Sequence, residues 1–153
     1  MVLPLCEASI GLAACANVGT PISLPIKLPI NLVVVDQFRA PSCKWCSGNR
    51  GIEYRTEPGS IVTAATGGIV SFVGMVAGTR YVVVKTNDKL LVTHGRLQSV
   101  SVKSGAVIAV GQTIGVAGES LYIGVRVNGQ YVDPQQCAGL GSLGKPRAVL
   151  VAG

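Results

Sequence analysis

Histidine is almost missing from this chain: His94 is the only one among 153 residues. No site built from several imidazoles can form from one chain. Charged residues are also sparse, at 13% of the total, too few for a disordered polyelectrolyte. Aromatics amount to only 5% and are scattered, so the chain lacks a stacking set for single-stranded nucleic acid. Neither a Lys/Arg run nor a helix-turn-helix pattern is present, and no nucleic-acid partner is expected. Every apolar stretch is interrupted by Pro, Gly or charge before it reaches membrane-spanning length, so no membrane span is expected.

What is abundant is glycine, at 20 residues, within a chain that is 48% hydrophobic. Short strands joined by glycine turns produce that balance, and the length suits one domain with a substantial core. β-Branched runs bounded by Gly, Asn or Asp recur at Ile61–Ala64, Ile69–Val73, Tyr81–Lys85 and Leu90–His94. They continue at Val100–Val102, Val107–Val110, Thr113–Val116, Tyr122–Val127 and Gln130–Val132. Asn87-Asp88 and Asn128-Gly129 are hairpin turn signals. No window carries a helical period. The expected class is all-β, a compact antiparallel sheet and barrel-sandwich hybrid. The net charge of +6 favours anionic partners, among them wall polymers that carry carboxylates and phosphates.

Prolines 21, 25 and 29 make residues 16–32 a semi-rigid linker, or an extended edge lying along the domain, since its alternate residues are apolar. The domain is expected over 33–134, opening on a strand within Val33–Arg39, with a glycine-rich tail at 135–153.

Within that domain, Gly48-Asn49-Arg50-Gly51-Ile52-Glu53 is followed by Pro58-Gly59-Ser60-Ile61-Val62 and Gly67-Gly68-Ile69-Val70. Thr93-His94-Gly95-Arg96-Leu97, Val110-Gly111-Gln112-Thr113-Ile114-Gly115 and Val125-Arg126-Val127-Asn128-Gly129 come next. In this order and at these spacings the run resembles the lysostaphin-type, LytM-like zinc endopeptidases of bacterial cell walls. The resemblance implies an exported protein of the cell envelope and a zinc ion held by a His, an Asp four residues on, and the second His of a His-x-His strand. Two further histidines would assist the attacking water, whose pKa such a metal lowers to about 7.

Position by position, this chain departs from that pattern. The first ligand position is Asn49 and the second Glu53; the His-x-His strand reads Ser120-Leu121-Tyr122, and the catalytic His of the Tyr-x-His segment becomes Arg96. Only Glu53 keeps usable ligand chemistry, so neither zinc nor any other cofactor is expected. Asn49, Glu53, His94, Arg96, Ser120 and Tyr122, with Arg50, Tyr54 and Arg126 beside them, would instead line a polar, cationic groove. The two-residue spacing on a strand puts His94 and Arg96 on one face. Arg96 then either grips a ligand carboxylate or pairs with Glu53 inside the protein. His94 is either a metal ligand with Glu53 or an imidazole hydrogen-bonded in the groove.

The implied function is a non-catalytic envelope domain that binds peptidoglycan or a cell-wall hydrolase. The alternative is a working zinc endopeptidase with an atypical site of Glu53, His94 and Tyr122 or a cysteine, cutting peptidoglycan cross-bridges. The Val102–Gln112 stretch also resembles biotinyl/lipoyl carrier domains, but Lys85 and Lys89 lack the carrier context. For an envelope protein, Cys43-Lys44-Trp45-Cys46 reads as a small disulfide loop, or as halves of bridges to other cysteines, Cys137 included. Residues 1–15, with Leu12-Ala13-Ala14-Cys15, look like a degraded or truncated export signal or else an apolar arm.

Overall fold

The computed structural model describes residues 26–86 and 90–136. The export-like segment, the linker before residue 26, the Asn87-Asp88 turn, Cys137 and the tail beyond it lie outside the described residues.

Among the described residues, nine strands form one antiparallel sheet: β1 (Val34–Asp36), β2 (Gly51–Arg55), β3 (Ile61–Thr63), β4 (Gly68–Val76), β5 (Thr79–Lys85), β6 (Leu90–Val100), β7 (Val107–Ile108), β8 (Thr113–Val127) and β9 (Gln130–Val132). The main path runs β1-β2-β8-β6-β5-β4-β7, with β3 and β9 both added to β8. Strand β8 is the hub. One edge of it pairs with β6; the other pairs in turn with β3, β2 and β9.

Two runs separate in the sequence, Thr113–Val116 and Tyr122–Val127, are therefore one strand of 15 residues. The intervening Gly118–Ser120 has little β preference, but Thr56 holds it in place. Its N–H donates to the Glu119 carbonyl and its hydroxyl to the Gly118 carbonyl. Asn128 and Gly129, at φ of 50° and 82°, supply the paired positive angles of the β8–β9 hairpin.

Inward residues alternate along the strands: Ile52 and Tyr54 on β2, Val82 and Val84 on β5, Leu90 and Val92 on β6, and Ile123, Val125 and Val127 on β8. The segment from Ile26 lies along this core: Ile26 is buried, and the Lys27 N–H donates to the Ala65 carbonyl. Leu28 and Leu32 are partly buried against the same core. No helix among the described residues is long and apolar enough to cross a membrane.

Candidate functional site

Two adjacent rows of cross-strand neighbours, one on each face of the sheet, organise the site. In the first, Ile52, Ile123, His94 and Val82 stand opposite one another on β2, β8, β6 and β5. In the second, one residue along, stand Glu53, Tyr122, Gly95 and Tyr81. Successive residues of a strand face opposite sides, so the first row belongs to the core and the second to the groove.

His94 thus does not line the groove, as its spacing from Arg96 suggested. It is 0% exposed. Its Nε2 accepts the Ala65 N–H at 3.0 Å, and its Nδ1 lies 3.3 Å from the Val82 carbonyl, which makes it the protonated nitrogen of a neutral ring. Burial pushes its pKa down to about 4, against a smaller upward pull from the Val82 carbonyl. Both ring nitrogens are engaged, and neither is free for a metal.

The strand parity fails at Arg96 itself. Arg96 adopts a left-handed backbone, φ 64°, at a register break between Gly95 and Leu97. Across from it, β8 passes from Tyr122 to Ala117, so residues 118–121 oppose Arg96 alone. This bulge turns the Arg96 side chain outward, while Leu97 returns to the core. Sequence periodicity had no signal for it, because a positive φ at a non-glycine residue is uncommon.

Arg96 Nη2 donates to Glu53 Oε2 at 2.9 Å. The side chains are 49% and 21% exposed, so the pair lies at the surface and not inside the protein. Tyr122 lies beside it on a floor of glycines. A Cβ at Gly51 would come 2.6 Å from the ring, one at Gly124 2.8 Å from the hydroxyl, and one at Gly95 3.2 Å from the ring edge. The phenol pKa is raised by burial first, and then by Tyr131 and Tyr81. Ser120 sits two residues away on the same face of β8, paired in register with Arg55.

Asn49 is not a groove residue either. It is 8% exposed, and its Nδ2 donates to the carbonyls of Gln37 at 2.9 Å and Asp36 at 3.3 Å. Its Oδ1 accepts the Gly51 N–H at 3.3 Å, and its backbone bridges Arg39. The amide ties the end of β1 to the start of β2. Tyr54, one residue from Glu53, faces the core, where burial raises its pKa to about 12.

This donor set does not fit a zinc ion. The amide is committed to backbone carbonyls, the carboxylate to a guanidinium, and the phenol is held protonated. Among the described residues no three of His, Cys, Asp and Glu converge on one point.

Beyond the pair, the groove face continues along β8 to Arg126, whose guanidinium stacks over the Tyr131 ring at 5.4 Å. There it opens into a cleft of about 810 Å³ between the β8–β9 hairpin and the Cys43–Cys46 loop. Cys43 and Cys46 are bonded to each other, so neither pairs with Cys137. Lys44, Trp45, Arg50, Arg126 and Tyr131 stand on the cleft wall. The family pattern singles out Arg50 and Arg126 but carries no signal for Lys44 and Trp45. The Cys-x-x-Cys spacing marked a loop, without showing what it faced.

Residues 47–134 match the sequence family described as Peptidase family M23. The protein Rv2891 of Mycobacterium tuberculosis, itself uncharacterized, is 36% identical over 77 residues; the match takes in 50% of this chain and 30% of that relative's length. Among solved structures, the catalytic domain of the prophage-encoded M23 protein EnpA from Enterococcus faecalis superposes with a TM-score of 0.61 at 21% identity, over 74% of this chain and 96% of that one. A chain of the SpoIIIAH–SpoIIQ complex gives 0.60 at 21% identity, over 72% and 94%. At such identities the structures share a fold.

Proposed function

This chain belongs to peptidase family M23, and on that footing we propose that it is a non-catalytic, LytM-like domain of the cell envelope that binds peptidoglycan. The observation that carries this reading is the Arg96–Glu53 ion pair. It joins the one retained carboxylate of the family's ligand pattern to the residue standing at a catalytic histidine position. A guanidinium at 2.9 Å supplies a fixed positive charge where a metallopeptidase would hold its cation, and no water-activating chemistry comes with it.

The peptidase alternative needs His94 at the groove, and His94 is enclosed by the core with both nitrogens engaged. Wall binding draws support from the cationic residues on the groove side, Lys44, Arg50, Arg96 and Arg126, together with the net charge of +6. A second reading is that the domain regulates a cell-wall hydrolase through protein contact; the fold it shares with a chain of the SpoIIIAH–SpoIIQ complex is compatible with a protein partner. Residues 33–134 are the functional unit in either case, acting outside the cytoplasm.

The test is incubation of the oxidised protein with purified peptidoglycan, with and without added zinc, followed by chromatography of soluble fragments. No fragment above background is expected. Zinc-dependent release that disappears in Glu53→Ala would overturn the non-catalytic reading.

A further inference from the structure

We infer that the ligand-binding centre of this domain is the cleft between the Cys43–Cys46 loop and the β8–β9 hairpin, and that it takes an acidic saccharide. The inference deepens the wall-binding proposal and rests on it for the polymer's identity, though not for the chemistry of the site.

Among the described residues, three cations and no carboxylate line the cleft. Among the described residues, none of Lys44, Arg50 and Arg126 forms an ion pair; the pairs present are Arg39–Asp36 and Arg96–Glu53. The three are nonetheless positioned. Arg50 Nη2 donates to the Lys44 carbonyl at 2.8 Å, which ties the disulfide loop to the start of β2. Arg126 is stacked on Tyr131 at 5.4 Å, and Lys44 Nζ lies 5.1 Å from the centre of the Trp45 ring. Such contacts orient a charge without neutralising it, so its hydrogen-bonding edge stays available for an incoming anion.

Trp45 supplies the other half of the chemistry. It is 86% exposed, at the tip of a loop closed by the Cys43–Cys46 bond. A large apolar ring left in water is unfavourable compared with one that is covered. An indole beside oriented guanidinium groups matches a pyranose that bears a carboxylate, with the sugar's C–H face on the ring and its carboxylate on Arg50 and Arg126. Nucleic acid offers anions and rings too, but it is held by successive stacking platforms along a groove, whereas this cleft offers one open ring, Trp45, its second, Tyr131, being stacked by Arg126.

Trp45 is the chain's one tryptophan, so its fluorescence reports on this loop alone. The full-length oxidised protein would be titrated with an oligogalacturonate, a neutral chito-oligosaccharide and oligo-dT at physiological salt. Saturable change with the oligogalacturonate is expected, at least tenfold tighter than with the other two. Arg50→Gln and Arg126→Gln should each weaken it about tenfold by fluorescence. Trp45→Ala should do the same by calorimetry. All three positions are at the surface, and circular dichroism confirms folding of each variant.

No saturable change with the oligogalacturonate, tighter binding of oligo-dT, or affinity unmoved by Trp45→Ala and Arg126→Gln would each overturn the inference. Oligogalacturonate binding without retention on peptidoglycan would support the cleft and defeat the wall proposal. Peptidoglycan retention that ignores both substitutions would defeat the cleft and leave the wall proposal standing.

Discussion

Arg96 Nη2 lies 2.9 Å from Glu53 Oε2, joining β6 to β2 across the exposed face of β8. With the side chains 49% and 21% exposed, solvent screens the pair, and its contribution to stability is small. Glu53→Gln is expected to cost about 1 kcal/mol or less in urea unfolding. The left-handed backbone at Arg96, φ 64°, adds a second effect. Glycine adopts that conformation freely while alanine does not, at a difference of about 1 kcal/mol. Arg96→Gly should therefore be more stable than Arg96→Ala, although both lose the ion pair.

His94 gives the protein an acid-sensitive core. Its pKa is lowered to about 4 by burial, from an ordinary value of 6.5. The unfolded chain therefore binds a proton more readily than the folded one. The contribution is fully present above pH 6.5 and is lost as pH falls from 6.5 to about 4. The loss is about 3 kcal/mol, since each pKa unit corresponds to about 1.4 kcal/mol. Unfolding midpoints measured across that range should fall, and His94→Gln should flatten the dependence. An unchanged slope in His94→Gln would assign the acid sensitivity elsewhere.

The glycine floor beneath Tyr122 differs from point to point. At Gly51 an added Cβ would come 2.4 Å from the Ile123 carbonyl oxygen, a backbone atom held by the β2–β8 ladder. At Gly95 the nearest atom is 2.7 Å away on the Tyr81 ring, which can swing aside. Gly51→Ala is expected to cost roughly 3 kcal/mol, and Gly95→Ala roughly 1 kcal/mol. Thermal unfolding of the two variants checks the order.

These positions also separate what the sequence carried from what it did not. β-Branched runs such as Tyr81–Lys85 and Leu90–His94 made the strands legible, because each alternates around a buried face. Asn128-Gly129 announced its hairpin. The resemblance singles out a set of site positions, but not the directions of their side chains. One left-handed residue, Arg96, reverses the alternation between His94 and Leu97, and nothing in its chemistry signals that. Asn49 was misplaced for a different reason. Its amide is occupied by carbonyls of Asp36 and Gln37, contacts across the β1–β2 connection that local spacing does not encode. The cleft brings residues 40–50 against residues 126–131, a non-local meeting set by the β2–β8 register.

The Cys43–Cys46 bond closes a very short loop, worth about 2 kcal/mol in a chain-entropy description. That loop is exposed and stands outside the buried core. Replacing both cysteines with serine should lower the unfolding midpoint by roughly 5–10 °C. Binding should suffer more, since Trp45 and Lys44 would lose their fixed positions on the cleft wall. Thermal unfolding and the oligogalacturonate titration, run on the same sample, compare the two effects.

The most direct measurement is co-sedimentation of the oxidised protein with purified peptidoglycan sacculi over a salt series, with the supernatant assayed for released fragments in the presence of zinc. The protein is expected to pellet at moderate salt, to do so less when Trp45 or Arg126 is replaced, and to release nothing. Zinc-dependent release of fragments, or protein left in the supernatant at physiological salt, would contradict a wall-binding domain without catalysis.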